Sequence, residues 1–431
     1  MKILANKWQI GWLLLLATTV QADDGINHGN SAWVLTATTL VLMMTLPGLA
    51  LFYAGMVRKK NILSTMMHSF GATAVVSVLW VAIGYSLAFS DGGALQGFIG
   101  GTEHAMLSGV GIAENSGDIP LALWVMFQMT FAVIAVAILA GSLAERMKFG
   151  SFLLFSGLWV LFVYVPVCHW VWGGGWLTGD ALDFAGGTVV HVNAGVGGLV
   201  LAHLLGKRQD YGRANLAPHN LVYALIGAGL LWVGWFGFNG GSALAADGVA
   251  AMAIIVSQVA AAMGLLTWLL CEYVVRKRAS ALGGASGAIA GLVGITPAAG
   301  FVGVSGAMAI GVLTALGCFA MIHYGKKRLG VDDTLDAFGL HGVGGIIGAV
   351  LTGVFVSQEL YPDVGHESLL TQLWLQTEGV LATMAYSAVA TFIIGMAIKK
   401  TMGLRVDDEA EYQGLDLAIH GEKLVKSISK G

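Results

Sequence analysis

Charge is what this sequence has least of. Asp, Glu, Lys and Arg make up 11% of its 431 residues, less than half the share of roughly 25% in an ordinary soluble domain. A soluble protein of this length could not stay dispersed on so little polar surface, so soluble enzyme and binding-domain classes are excluded. Proline is scarce, with 6 residues. Cysteine is scarcer: Cys168, Cys271 and Cys318 all fall in apolar segments without metal-type spacing, and they read as small core residues. Neither a metal nor another cofactor is expected, and nucleic acid is not expected as a partner.

What is present is apolar length. Hydrophobic residues reach 56%, mean hydropathy is +0.77, and the apolar runs are of the size that crosses a bilayer core of about 30 Å. Glycine is also abundant, 62 residues against a usual share of roughly 7%. Many glycines lie inside the apolar runs. Gly283, Gly284, Gly287, Gly291 and Gly294, three and four apart, predict a smooth helix face on which neighbours pack closely.

Lys2 and Lys7 precede a short apolar stretch, Ile10 to Val20, followed by Gln21-Ala22 and Asp23-Asp24. A basic start, a short apolar region and small residues predict a cleaved signal peptide over 1–22, with the mature N-terminus outside. A transmembrane domain over 23–400 and a cytoplasmic tail over 401–431 follow.

Within that domain the apolar runs predict eleven spans, near 31–57, 64–90, 120–144, 150–171, 184–206, 219–240, 246–275, 281–299, 302–324, 335–356 and 373–398. With the N-terminus outside, every Lys and Arg after Lys7 falls in a cytoplasmic loop or the tail: Arg58-Lys59-Lys60, Arg146 and Lys148, Lys207-Arg208 with Arg213, Arg276-Lys277-Arg278, Lys326-Lys327-Arg328, and Lys399 onward. The outer loops carry Asp91, Glu103, Glu114, Asp118, Glu359 and Asp363. This agrees with the positive-inside rule. The expected fold is therefore an all-α integral membrane protein of eleven helices, N-out and C-in. Spans one to five and six to ten form two halves of opposite orientation, and the eleventh lies outside that inverted repeat.

Two histidines stand out in this topology. His191 follows Asp183 by 8 residues at the outer start of span five, and His341 follows Asp333 by 8 residues at the inner start of span ten. At a rise of 1.5 Å per residue both lie about 12 Å deep, reached from opposite faces. An ionisable group at that depth is a functional candidate; the plain alternative is two core histidines, each bonded to a carbonyl. Aromatic residues gather above the pair. Trp124, Phe127 and Phe131 share one face of span three, Trp172 ends span four, and Phe238 and Ser242 lie one turn apart at the end of span six. An interfacial aromatic belt accounts for Trp170 and Trp176, but Phe131 and Phe238 lie deeper than a belt. A cation shedding water gains roughly 0.5–2 kcal/mol over an aromatic face, so these residues form a graded entrance.

At these residues the chain resembles the Amt/Mep/Rh family of ammonium transporters, from about residue 31 to the tail. D-F-A-G-G-T-V-V-H-V-N-A-G-V-G-G-L-V, from Asp183 to Val200, is similar to the family signature. G-W-F-G-F-N-G-G-S, V-W-G-G-G, L-G-G-A-S-G-A-I-A-G-L-V-G-I-T-P-A and F-G-L-H-G-V-G-G are similar to other family blocks. The resemblance implies a homotrimer of eleven-helix subunits in the inner membrane, each with its own path for ammonium or ammonia. It assigns Trp172, Ser242 and Phe131 to an outer recruitment site that Asp183 organises, Phe131 and Phe238 with nearby Phe127 to a phenyl gate, and His191 and His341 to the twin histidines of the pore. Trp172 points to the Amt type. Gly414-Leu415-Asp416 with His420-Gly421-Glu422 resembles the tail through which a PII-type protein regulates family members. Two other classes could use these residues: an ammonium sensor with the same pore as a receptor, and an intramembrane metal hydrolase built on His191, His341 and Asp183.

Overall fold

The computed structural model describes residues 25–213, 216–362, 364–366 and 368–423. The expected signal peptide, Asp363 and the last residues of the tail lie outside the described residues.

Among the described residues ten helices are long and apolar enough to cross a membrane. They are α1 (His28–Met56), α2 (Lys59–Phe89), α3 (Leu121–Ala140), α4 (Phe149–Trp172), α5 (Gly187–Leu205) and α6 (Leu221–Gly240). The set continues with α7 (Gly248–Arg276), α9 (Val304–Leu329), α10 (Phe338–Phe355) and α11 (Leu369–Thr401). The eighth expected span is a shorter apolar helix, α8 (Ala281–Ile295). Its 15 residues extend about 22 Å, and the expected 281–299 segment ends in a turn at Thr296 and Pro297.

Polar side chains start the helices where the apolar pattern begins. Asn27, Asn220, Asp247, Ser280 and Ser368 each accept a backbone N–H from the first turn of α1, α6, α7, α8 and α11. Those amides would otherwise have no intrahelical partner. The outward faces are apolar: Val78, Phe162, Leu270, Trp374 and Val389 are all exposed, as a surface solvated by lipid tails requires.

The glycine face packs as expected at several positions. A Cβ on Gly287 would press against Trp268 and Gly264 of α7, and one on Gly291 against the backbone of Ala260. Gly294 faces Thr314 of α9, whereas Gly284 meets only leucine side chains at ordinary contact distance. Cys168 and Cys318 are buried, and Cys271 is half-buried.

Several of the basic clusters meet at one end of the bundle. Glu145 accepts bonds from Arg58, Asn61 and Arg208, and Asp332 is clasped by Arg208. The tail returns to this end through two short helices, α12 (Asp408–Gln413) and α13 (Leu415–His420). Glu411 bonds Arg405 and the Gln209 amide, and Lys60 bonds the carbonyls of Glu411 and Tyr412.

Candidate functional site

The site is assembled where helices depart from regular α geometry. His191 lies in a π-helical turn, Gly187–Val192, Phe238 in a second, Phe236–Gly240, and His341 in a third, Phe338–Gly342. Such wide turns recur at functional sites because they re-aim side chains within a continuous helix.

Asp183 sets the first of these. Its carboxylate accepts the amides of Gly186 (2.9 Å), Gly187 (2.5 Å), Thr188 (2.9 Å) and Val189 (3.1 Å), and the Thr188 hydroxyl. Gly186 has φ +106°, a conformation few residues other than glycine adopt. With five donors the carboxylate oxygens are saturated, so Asp183 shapes the start of α5 without offering an oxygen to a ligand. Its main-chain carbonyl accepts the indole N–H of Trp172 at 2.8 Å, which fixes the last side chain of α4.

Trp172 borders a cavity of about 280 Å³ lined also by Phe127, Gln128, Phe131, Phe184 and Ser242. The Ser242 hydroxyl donates to the Phe238 carbonyl at 2.8 Å, leaving its oxygen lone pairs free to accept. Phe131 closes the floor. Its ring meets Trp172 edge-on at 5.9 Å and Phe127 edge-on at 5.0 Å, and it stacks on Phe238 at 4.3 Å and 23°. Both Phe131 and Phe238 are buried.

Beyond Phe238 lies His191, 5.8 Å away between ring centroids and stacked on Trp235 at 5.4 Å. The rings of His191 and His341 are 5.2 Å apart, with their Nδ1 atoms at 3.2 Å. A hydrogen bond between two Nδ1 atoms needs one donor and one acceptor. A neutral pair therefore holds complementary tautomers, one ring offering an Nε2–H and the other a bare Nε2. Nε2 of His191 is buried without a partner. Among the described residues no group of three or more His, Cys, Asp and Glu could hold a metal ion.

The two histidine segments match each other closely. Asp333 accepts the amides of Ala337 (3.1 Å), Phe338 (2.9 Å) and Gly339 (3.4 Å), with the Ser142 hydroxyl at 2.7 Å, as Asp183 does for α5. A Cβ on Gly195, four residues past His191, would strike Gly342; one on Gly345, four past His341, would come within 3.0 Å of the Val192 nitrogen. Only glycine allows this crossing.

The residues that the resemblance assigns to the path follow one another, Trp172 and Ser242 at the cavity, Phe127, Phe131 and Phe238 at its floor, and His191 and His341 beneath, with Asp183 behind them. Trp235, which has no evident role on sequence alone, donates its indole N–H to Thr296 at 2.8 Å and backs His191. Its signal was the spacing, three residues before Phe238 on the same face of α6. Asp333 and Gln128 likewise have no evident role on sequence alone.

Residues 32–424 match the sequence profile of the Ammonium Transporter Family. An ammonium transporter of Bacillus subtilis is 50% identical over 402 residues, 92% of this chain and 98% of that protein. One of Aquifex aeolicus is 48% identical over 410 residues, covering 93% and 94%. Among solved structures, Mep2 of Saccharomyces cerevisiae superposes with a TM-score of 0.82 at 37% identity, over 89% of this chain and 91% of that one. A protein described as a sensor Amt protein superposes at 0.84 with 31% identity, over 91% and 98%. The chain is a multi-pass membrane protein that belongs to the ammonium transporter family.

Proposed function

We propose that this protein recruits ammonium in the cavity bounded by Trp172, Phe131 and Ser242, removes a proton at the Phe131–Phe238 stack, and conducts ammonia past His191 and His341. The observation that carries this reading is the unbroken succession from an open acceptor at Ser242, through the phenyl stack at 4.3 Å, to the imidazole pair at 3.2 Å. Aromatic faces and one hydroxyl suit a small cation that donates hydrogen bonds. The ring stack suits only a desolvated, neutral species. A charge at the bilayer centre is penalised by at least about 2.5–3.5 kcal/mol, and ammonia, which both donates and accepts, meets the complementary Nε2 atoms of a neutral imidazole pair. The proton that ammonium gives up is taken by the bare Nε2 of the imidazole pair next to Phe238, which relays it across separately.

In this reading the basic end faces the cytoplasm and the cavity faces outside. The short α8 completes eleven spans in a 5+5 inverted repeat plus α11, and residues 1–22 direct the chain to the inner membrane before removal. Three copies assemble as a homotrimer serving nitrogen uptake, and the docked tail is the contact for a PII-type protein. The matching Asp–His segments and the reciprocal glycine contacts support the inverted repeat.

The test is ammonium-evoked current in proteoliposomes, comparing wild type with His191→Asp and His341→Asp. Changed current or changed selectivity against potassium is expected; neither change in either variant would sink the proposed histidine role. Likeness to the sensor Amt protein favours a second reading, an ammonium receptor that recruits a cytoplasmic partner. Binding of ammonium without growth rescue of a transporter-deficient strain would favour that one.

A further inference from the structure

The recruitment cavity holds one polar side chain that the path described above does not use. Gln128 lies on the face of α3 that carries Trp124, Phe127 and Phe131, at positions i, i+3, i+4 and i+7, and it lines the same cavity. Its residue exposure is 6%, and its side-chain oxygen is buried without any hydrogen-bond partner. A buried amide left unpaired is costly. The walls around it make no bond to this oxygen: the phenyl rings of Phe127 and Phe131 have no donor, the Trp172 N–H is given to Asp183 and the Ser242 hydroxyl to Phe238, and the Trp124 indole, one turn earlier on α3, does not bond it.

Ammonium supplies what is missing. Its nitrogen carries four N–H donors, and the Ser242 hydroxyl satisfies one. Aromatic faces stabilise the charge but accept hydrogen bonds weakly. We propose that the side-chain carbonyl of Gln128 is a second hydrogen-bond acceptor for the cation in this cavity, beside the Ser242 hydroxyl. Either end of a carboxamide can be turned inward, and a cation selects the oxygen.

The inference rests on the reading of the cavity as an ammonium site, and the test separates the two. Half-saturation for ammonium is measured from evoked current in proteoliposomes of wild type, Gln128→Leu and Gln128→Glu. One hydrogen bond to a charged group corresponds to about tenfold or more in affinity. Gln128→Leu is expected to raise half-saturation for ammonium by that factor. Gln128→Glu keeps an acceptor and adds charge, so it is expected to bind ammonium at least as tightly as wild type. Should the leucine variant fail to incorporate, Gln128→Met, of similar length, replaces it. Unchanged ammonium half-saturation in the leucine variant would overturn the assignment of Gln128. So would an equal loss in the leucine and glutamate variants, which would mark a packing role. Absence of any wild-type response would overturn the transport reading itself, and this inference with it.

Discussion

The main-chain carbonyl of Asp183 holds the indole N–H of Trp172 at 2.8 Å while the carboxylate of the same residue binds four amides at the start of α5. One residue therefore ties the cavity wall to the helix that carries His191. Asp183→Ala leaves those amides and the Thr188 hydroxyl without an acceptor in a buried place. We expect it to destabilise the protein by about 2 kcal/mol or more, seen as a lower unfolding temperature in detergent. Asp183→Asn keeps one oxygen and should fall between wild type and alanine. In the asparagine variant weaker recruitment of ammonium should accompany a changed Trp172 environment. Equal stability of all three proteins would rule out the capping role.

The histidine pair depends on glycines as much as on the imidazoles. A methyl group on Gly195 would run into the backbone of Gly342, which cannot move aside, whereas one on Gly342 would meet the Phe338 ring at 2.5 Å, which can rotate. Gly195→Ala should push α5 and α10 apart, lengthen the 3.2 Å Nδ1–Nδ1 contact and cost about 1–3 kcal/mol. Loss of ammonium current is expected in that variant, with a milder loss in Gly342→Ala. A Gly342→Ala defect larger than that of Gly195→Ala would contradict this geometry.

Much of the line from Trp172 to His341 was legible because membrane depth follows from counting. Asp183 and Asp333 each stand 8 residues before a histidine, and a helix converts that spacing directly into distance. Phe131 and Phe238 were legible as aromatics too deep for an interfacial belt. What escaped depends on partners far along the chain. Trp235 reads as one more apolar residue until Thr296 and His191 meet it, and Gln128 reads as an isolated polar residue until the cavity around it is seen. Hydropathy also ran α8 on to residue 299, although Pro297 lacks the N–H needed to continue it. It extended α3 to residue 144, where the chain has left the helix to reach Glu145 at φ +72°. The tail carries no apolar period at all; its helices are held by side chains at the basic end.

At that end Glu145 and Asp332 share Arg208, through Nη1 at 2.8 Å and Nε at 2.9 Å. Burial raises the pKa of both carboxyls. For Glu145 this is outweighed by the charges of Arg208 and Arg58, and for Asp332 by hydrogen bonds from Arg208 and its charge, so both pKa values end below their ordinary positions. A carboxyl with a depressed folded pKa adds stability that is fully present above its unfolded pKa, about 4, and is lost as pH falls through the folded value. Unfolding temperature should therefore hold level above about pH 5 and drop below about pH 4. Arg208→Met leaves two buried carboxylates short of a partner. It should cost about 3–5 kcal/mol at neutral pH and reduce the acid-dependent drop, since both carboxyls then lose their reason to remain ionised. A variant with wild-type stability and an unaltered acid profile would show that the network contributes nothing.

Asp416 of the tail accepts the Ser64 amide at 2.8 Å, and the Leu415 amide donates to Asn61 at 2.8 Å. A tail carboxylate thus caps α2 across 352 residues of sequence, a position where negative charge also meets the positive end of the helix dipole. Asp416 is buried, so the bond is shielded from water. Asp416→Ala should lose about 0.5–2 kcal/mol of docking energy. Because α13 has 6 residues, too few to be stable alone, the loss should free that segment without unfolding the bundle. Hydrogen exchange is the measurement: amides of residues 415–420 should exchange faster in the variant, with those of α5 and α10 unchanged. Equal exchange in 415–420 would mean that Glu411, Arg405 and Lys60 hold the tail without Asp416.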